Sequence, residues 1–232
     1  MTALPSIQHR PGLLDVALAD PPHWADEVIQ PWDEGLFQRV RSFVTDRYWS
    51  GQHSINVFSV VGTQHPDYIG LTWLEFLQRG KRMRENLRLH AVNRDYYLDT
   101  AVKQPSMYYV SMDGLRWYVA GDGNHRTCIA RFDFHRVGAT MLHGVHLEDY
   151  RVDWTFWRLY QSLKKALGKK ADLTPERRCI ARSDTGGWMH ETYEVNLLLS
   201  EAGRETRLDR RQADTLLHER LKKSGLFGRL FG

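Results

Sequence analysis

The sequence predicts a mixed α/β protein with a small mixed sheet, flanking helices, an N-terminal arm and a C-terminal hairpin plus helix. Three observations lead there. Of 232 residues, 42% are apolar and 26% charged, the balance of a soluble chain with a real core rather than a disordered or fibrous one. Residues 107–112 (MYYVSM) and 115–120 (LRWYVA) are β-rich runs around Asp113-Gly114, the pattern of a two-residue type I′ hairpin. Immediately after it, GDGNHRTCIARFDFHRVG (121–138) passes from a glycine-rich turn into helical periodicity.

The remaining elements follow in order. Five of the eight prolines (Pro5, Pro11, Pro21, Pro22, Pro31) fall in residues 1–31. They remove donors and break helices, so this stretch reads as an irregular arm wrapped on a single domain over 32–232. Leu36, Phe37, Val40, Phe43 and Val44 recur at helical spacing, predicting a helix from about Asp33 to Tyr48, and SINVFSVV (54–61) reads as a strand closed by Gly62 and Pro66. Between Thr72 and about Ala101 the apolar positions predict two helices meeting near Gly80, with the basic run RGKRMRENLR (79–88) on or between them. In 121–138, Cys128, Ile129 and Phe132 form an inward stripe and Gly138 a stop. Residues 141–150 predict a strand, 153–168 a helix capped by Asp153, 179–184 and 188–200 a hairpin about Thr185-Gly186-Gly187, and about 209–223 a last helix.

Composition narrows the class. The net charge of +4 permits a polyanionic partner without requiring one. Cys128 and Cys179 are too few for a disulfide framework or a cysteine-based zinc site, and the first residues lack the apolar core of a secretory signal, so a reducing cytoplasmic setting is expected. No apolar run approaches the roughly 20 residues that cross a bilayer. The tail LKKSGLFGRLFG (221–232) mixes Lys222, Lys223 and Arg229 with Leu226, Phe227, Leu230 and Phe231, a composition open either to fraying or to peripheral membrane or partner contact.

The chemistry is concentrated in Gly121-Asp122-Gly123-Asn124-His125-Arg126. Glycines let the backbone approach a ligand, and the helix that starts beside them aims unpaired N–H groups and its positive dipole end at the same spot. His125 and Arg126 in the first turn stand at the unfavourable end of that dipole unless an anion compensates them, and a guanidinium grips two phosphate oxygens at once. The expected site is therefore an anion pocket. Gly121, Gly123 and Asn124 supply backbone donors, Arg126 clamps phosphate, and His125 donates a hydrogen bond or moves a proton. Thr127 is a further first-turn candidate. Asp122 repels bare phosphate, so it acts through Mg²⁺ or as a cap.

A hairpin running into DGNHRTCIARF, then a helix, a glycine and another strand, resembles the ParB/sulfiredoxin superfamily. Its G-x-x-R loop and inward small residue are matched by Gly123, Arg126 and Ala130. The resemblance covers about residues 54–150 and rests on about a dozen of them. It implies a ParB/sulfiredoxin-like fold whose loop binds the phosphates of ATP or another nucleotide. Two departures narrow it. Asn124 stands where sulfiredoxin places its reactive cysteine, and nothing after residue 150 looks like the helix-turn-helix of a partition protein. Size and basic character look most similar to the plasmid fertility-inhibition factors of the oncogenic-suppression type. That similarity implies ATP hydrolysis, metal-dependent DNase activity or both, with DNA and a conjugation-machinery protein as partners. A non-catalytic protein that occludes such a partner, and a small-molecule kinase, are the alternatives.

On this reading His125, Arg126 and Asp122 are the candidate catalytic residues. Lys81 and Arg82 form a second basic element reaching the phosphates, and Asp122, Glu148 and Asp149 are the candidate Mg²⁺ ligands. His143 and His146, three apart on an expected strand, point to opposite faces and do not make a zinc site.

Overall fold

The computed structural model describes residues 11–223. In chain order the elements are α1 (Leu13–Ala19), β1 (Gln30–Pro31), α2 (Glu34–Val40), β2 (Val44–Asn56), β3 (Val60–Thr63), α3 (Trp73–Arg79), α4 (Met83–Val92), α5 (Asp95–Leu98), β4 (Tyr108–Ser111), β5 (Trp117–Val119), α6 (Asn124–Val137), β6 (Met141–Val152), α7 (Trp154–Leu167), β7 (Ala171–Thr185), β8 (Trp188–Glu201), β9 (Arg204–Leu208) and α8 (Arg210–Lys223). The mixed α/β class holds. The described residues divide into two compact units, one of residues 11–32, 50–111 and 115–147, the other of 33–49, 112–114 and 148–223.

In the first unit the strands run β1-β3-β5-β4-β6-β2, parallel between β1 and β3 and between β3 and β5, antiparallel between β4 and β5. Where an irregular arm is expected over 1–31, the part from residue 11 on carries α1 and contributes Leu13, Ala17, Trp24, Ala25 and Ile29 to the core. Residues 1–10 lie outside the described residues. The prolines break the segment without keeping it from burying an apolar face.

The core of this unit surrounds α6, a helix buried on most sides, with Cys128, Ile129, Ala130 and Phe134 at 0% exposure. Two charged side chains go inside with it. Arg131 lies between the rings of Trp24 and Trp73, 4.5 and 4.4 Å from their centroids, and donates to the Val60 carbonyl at 2.5 Å. Burial lowers its pKa to about 10. Asp133 accepts from Arg94 Nε at 2.8 Å and Arg136 Nη2 at 2.7 Å, with His90 Nε2 at 3.3 Å. Gly138, at φ +71, ends the helix as its sequence predicts. On β6, Gly144 is required by close approach as well as by its φ of +66. A Cβ there would stand 1.8 Å from the Ala101 carbonyl oxygen, and the Gly144 carbonyl accepts from Lys103 N at 2.8 Å.

In the second unit the order is β6-β2-β8-β7, with β9 paired to β8, and α7 and α8 complete it. Its core gathers Phe43, Phe156, Leu163, Leu167, Leu197 and Leu208. Asp153 caps α7 as expected, accepting from Phe156 N at 2.9 Å.

Four expectations need correction. The helix over 33–48 stops at Val40, and after a 3-10 turn the chain enters β2 at Val44. Val44, Thr45, Tyr48 and Trp49 favour a pleated strand over a fourth helical turn. The strand over 54–61 is split, because Asn56 Oδ1 accepts from Phe58 N at 2.9 Å and closes a turn over 57–59. The 107–120 hairpin forms, but Tyr109 faces Val119 and Val110 faces Tyr118, a register that makes the loop Met112–Arg116 rather than a two-residue turn. Arg151 Nη1 donates to the Asp113 carbonyl at 2.8 Å, a tertiary tie that local turn preference does not contain. Finally β7 begins at Ala171, well before residue 179, and β9 was not expected; it pairs across Ala202 and Gly203, both at positive φ.

Candidate functional site

The expected loop is positioned from both sides. Tyr108 N on β4 donates to the Asp122 carbonyl at 3.1 Å, and Gly123, at φ +117, is the N-cap of α6. That φ favours glycine, and a Cβ would press on Met107 at 3.2 Å. Gly121 is different: a Cβ there meets nothing within 4 Å. The first helical bond, Thr127 N to the Gly123 carbonyl, is 2.8 Å. The amides of Asn124, His125 and Arg126 precede it and have no partner inside the helix. Asp33, Thr72 and Asp153 cap α2, α3 and α7 with their side chains, whereas α6 has no side-chain cap.

This end of α6 opens on a cavity of about 540 Å³ within the first unit. Its floor is residues 121–126. Its walls come from Arg82, the N-cap of α4, from α4 and α5 (Asn86, His90, Tyr96, Tyr97), from His65 and Tyr68, and from Gln104 and Pro105. Arg126 is only 9% exposed yet lines this space. It donates to the Pro105 carbonyl at 2.7 Å and to Tyr96 Oη at 3.2 Å, and pairs with Asp122 at 2.6 Å. Burial opposes its charge, but the bonds to Asp122 and Tyr96 prevail and hold its pKa above the ordinary value. Arg126 is thus engaged by an acid and still faces an open cavity.

His125 lies edge-on to Tyr68 and beside Phe76, with ring centroids 5.3 and 5.2 Å away. Its Nε2 bonds to the Lys81 carbonyl, which can only accept, so that nitrogen carries the proton. Burial lowers its pKa, with the nearby arginines helping, so the ring is neutral at pH 7 and Nδ1 keeps its lone pair.

The other expected residues separate into two groups. Gly121, Asp122, Gly123, Asn124, His125, Arg126 and Arg82 all line the cavity. Arg82 also stands at φ +66, one of two non-glycine residues at positive φ among the described residues, a strained conformation of the kind found at binding sites. Lys81 enters through its carbonyl. Thr127 does not reach the ligand space: it is fully buried and shares a 2.8 Å hydrogen bond with Tyr109. Asn124 is tied by Oδ1 to Thr63 Oγ1 at 2.6 Å, which fixes the loop to β3.

The expected Mg²⁺ set does not assemble. Glu148 is paired with Arg47, and the buried Asp149 pairs with Arg151 at 2.6 Å. Both belong to the second unit, Asp122 to the first. Asp122 is the one carboxylate among the cavity-lining residues, and its oxygens accept from Gly123 N at 2.7 Å and from Arg126. Among the described residues no group of three or more His, Cys, Asp or Glu is placed to hold a metal ion. The donor set does not fit a protein-held Mg²⁺.

Cys128 is fully buried, its thiol pushed well up by burial, and it points to the Trp73 carbonyl at 3.5 Å. It is not a nucleophile. The residues that sequence reasoning missed are the walls: His65, Tyr68, Asn86, His90, Tyr96, Tyr97, Gln104 and Pro105. They are 16 or more positions from the loop, and no local pattern marks them.

The fold and site define an α/β protein in which helix α6 starts, without a side-chain cap, at the floor of a cavity. No family model, curated protein or solved structure matches the chain. Among the described residues no helix is long and apolar enough to cross a membrane, and the tail from residue 224 on lies outside them.

Proposed function

We propose that this protein binds a nucleoside triphosphate, ATP in the first instance, with the phosphates on the α6 terminus and Arg126 and the nucleoside between the walls of the cavity. The observation that carries the reading is Arg126, nearly buried yet lining a 540 Å³ cavity beside the first-turn amides of α6. The volume lies within the range of small-ligand sites, roughly 300–1,000 Å³. Tyr96, the half-buried tyrosine of the wall, adds apolar ring surface, and Arg82 a second cation. The reaction we propose is hydrolysis of the triphosphate. His125 is a neutral imidazole lining the cavity, and its Nδ1 lone pair takes a proton from the water whose oxygen bonds to the γ-phosphorus as the bond to the leaving nucleoside diphosphate breaks. A metal enters only as the nucleotide's own counter-ion. The ParB/sulfiredoxin resemblance supports the same site and extends the proposal to plasmid DNA as a substrate, to a conjugation-machinery protein as a partner and to a cytoplasmic setting.

A second reading has an observation of its own. Arg126 is already neutralised by Asp122, and His125 is bonded to Lys81, so the cavity suits binding without turnover. The protein would then occlude its partner with nucleotide bound.

Calorimetric titration with ATP in EDTA and in Mg²⁺, beside turnover of ATP, CTP and plasmid DNA, decides between them. Arg126→Ala is expected to weaken ATP by on the order of tenfold or more, since charge-assisted bonds to phosphate are lost. Unchanged affinity in the variant overturns the site. Tight binding with no product favours occlusion over hydrolysis.

A further inference from the structure

The carboxylate of Asp122 occupies the donors that a phosphate needs. One oxygen accepts from Gly123 N at 2.7 Å, the other from Arg126 Nη2 at 2.6 Å. We infer that Asp122 is an internal occupant of the anion cradle, a specificity-determining residue that a ligand phosphate must displace. The inference rests on the proposed phosphate site and deepens it.

Three observations support the exchange. The Asp122 side chain is 63% exposed whereas that of Arg126 is 11% exposed, so the acid is the member free to leave and the guanidinium the member held in place. Arg126 stays anchored through Pro105 and Tyr96 when Asp122 goes. The Asp122 carbonyl is held by Tyr108 N at 3.1 Å, so the side chain alone turns away toward solvent while the loop backbone keeps its place. An arriving phosphate takes over both bonds and adds the first-turn amides, which a carboxylate held by Gly123 and Arg126 does not use.

The consequence is a threshold. A lone orthophosphate gains only the first-turn amides in return for releasing Asp122, so it competes poorly at ordinary concentrations. A polyphosphate brings several charges and reaches Arg82 as well, and it wins. The chemical class selected is a di- or triphosphate, not a single small oxyanion.

The test is calorimetry in EDTA, with pyrophosphate, ATP and adenosine as probes, on the unmodified protein, Asp122→Asn and Asp122→Ser. Serine keeps an acceptor for the Gly123 amide while removing the charge, so it covers a folding defect in the asparagine variant. Pyrophosphate and ATP are expected to bind each variant on the order of tenfold more tightly, since a competing charge-assisted pair is removed, with adenosine unchanged. In an Arg126→Ala background the gain should disappear. Equal or weaker pyrophosphate binding by both folded variants overturns the inference while leaving the phosphate site standing. Absence of binding by the unmodified protein and by both variants overturns the proposed function itself.

Discussion

Asp133 has no exposed surface, yet two arginines and a histidine surround it, and it remains an anion. Its burial works against the charge, and the bonds from His90 and Arg94 more than reverse that, holding its carboxyl far below the usual carboxylate range. Removing the charge takes the partner from Arg94 and Arg136, whose side chains are 35% and 34% exposed and can turn to water. Asp133→Asn should therefore cost roughly 1.5–3 kcal/mol, the range for hydrogen bonds to a charged group, read as a lower urea midpoint at unchanged slope. The cysteines give a contrasting expectation. Cys128 is sealed in the core and Cys179 is exposed, so a thiol reagent should titrate one group in the native protein and two after denaturation. Two groups reacting at the same rate in native buffer would contradict the buried position of Cys128.

Helix α6 is the element on which the site depends, and its start is set by one backbone conformation. At φ +117 with Met107 behind it, Gly123 should not accept alanine: Gly123→Ala is expected to lose about 1–2 kcal/mol of stability and the anion site with it. Gly121→Ala has open space and should be close to neutral, so the pair of variants separates conformational need from mere flexibility. The sequence shows this element clearly because everything that defines it is local: glycines before, an inward stripe within, Gly138 after. The same holds for α7, whose cap and apolar register are adjacent in the chain. Legibility fails where local preference is overridden. Phe43 and Val44 satisfy a helical spacing and a strand alike, and only pairing of β2 with strands distant in sequence decides. The cavity walls were illegible for a related reason. Tyr96 and Pro105 meet Arg126 across 30 and 21 positions, through a chain path that no motif encodes.

At the scale of the whole molecule the titrations resolved in the acid range share one sign. Burial lowers the pKa of His53 and His125, and hydrogen bonds from neighbours lower those of Glu85, Asp133 and Glu191. In each case the unfolded chain binds protons more readily than the folded one, so stability rises with pH until the group is deprotonated in both states. The histidine contribution is complete above about pH 6.5 and is lost as pH falls toward the lower folded values. The carboxylate contribution is complete above about pH 4.5 and is lost on further acidification. Urea midpoints taken from pH 8 to pH 4 should therefore be flat above neutrality and decline below it, first gently and then steeply. A maximum near pH 5 would be inconsistent with these shifts.

Gly144 bears no group that could touch a nucleotide, yet the chain that passes over it at Ala101 continues within a few residues to Gln104 and Pro105, the wall against which Arg126 rests. Any side chain at that strand position pushes the passing backbone away and carries the wall with it. A screen for binding-defective variants should thus return position 144 alongside the loop, as a lesion that empties the pocket from behind while every polar contact of the loop is still encoded.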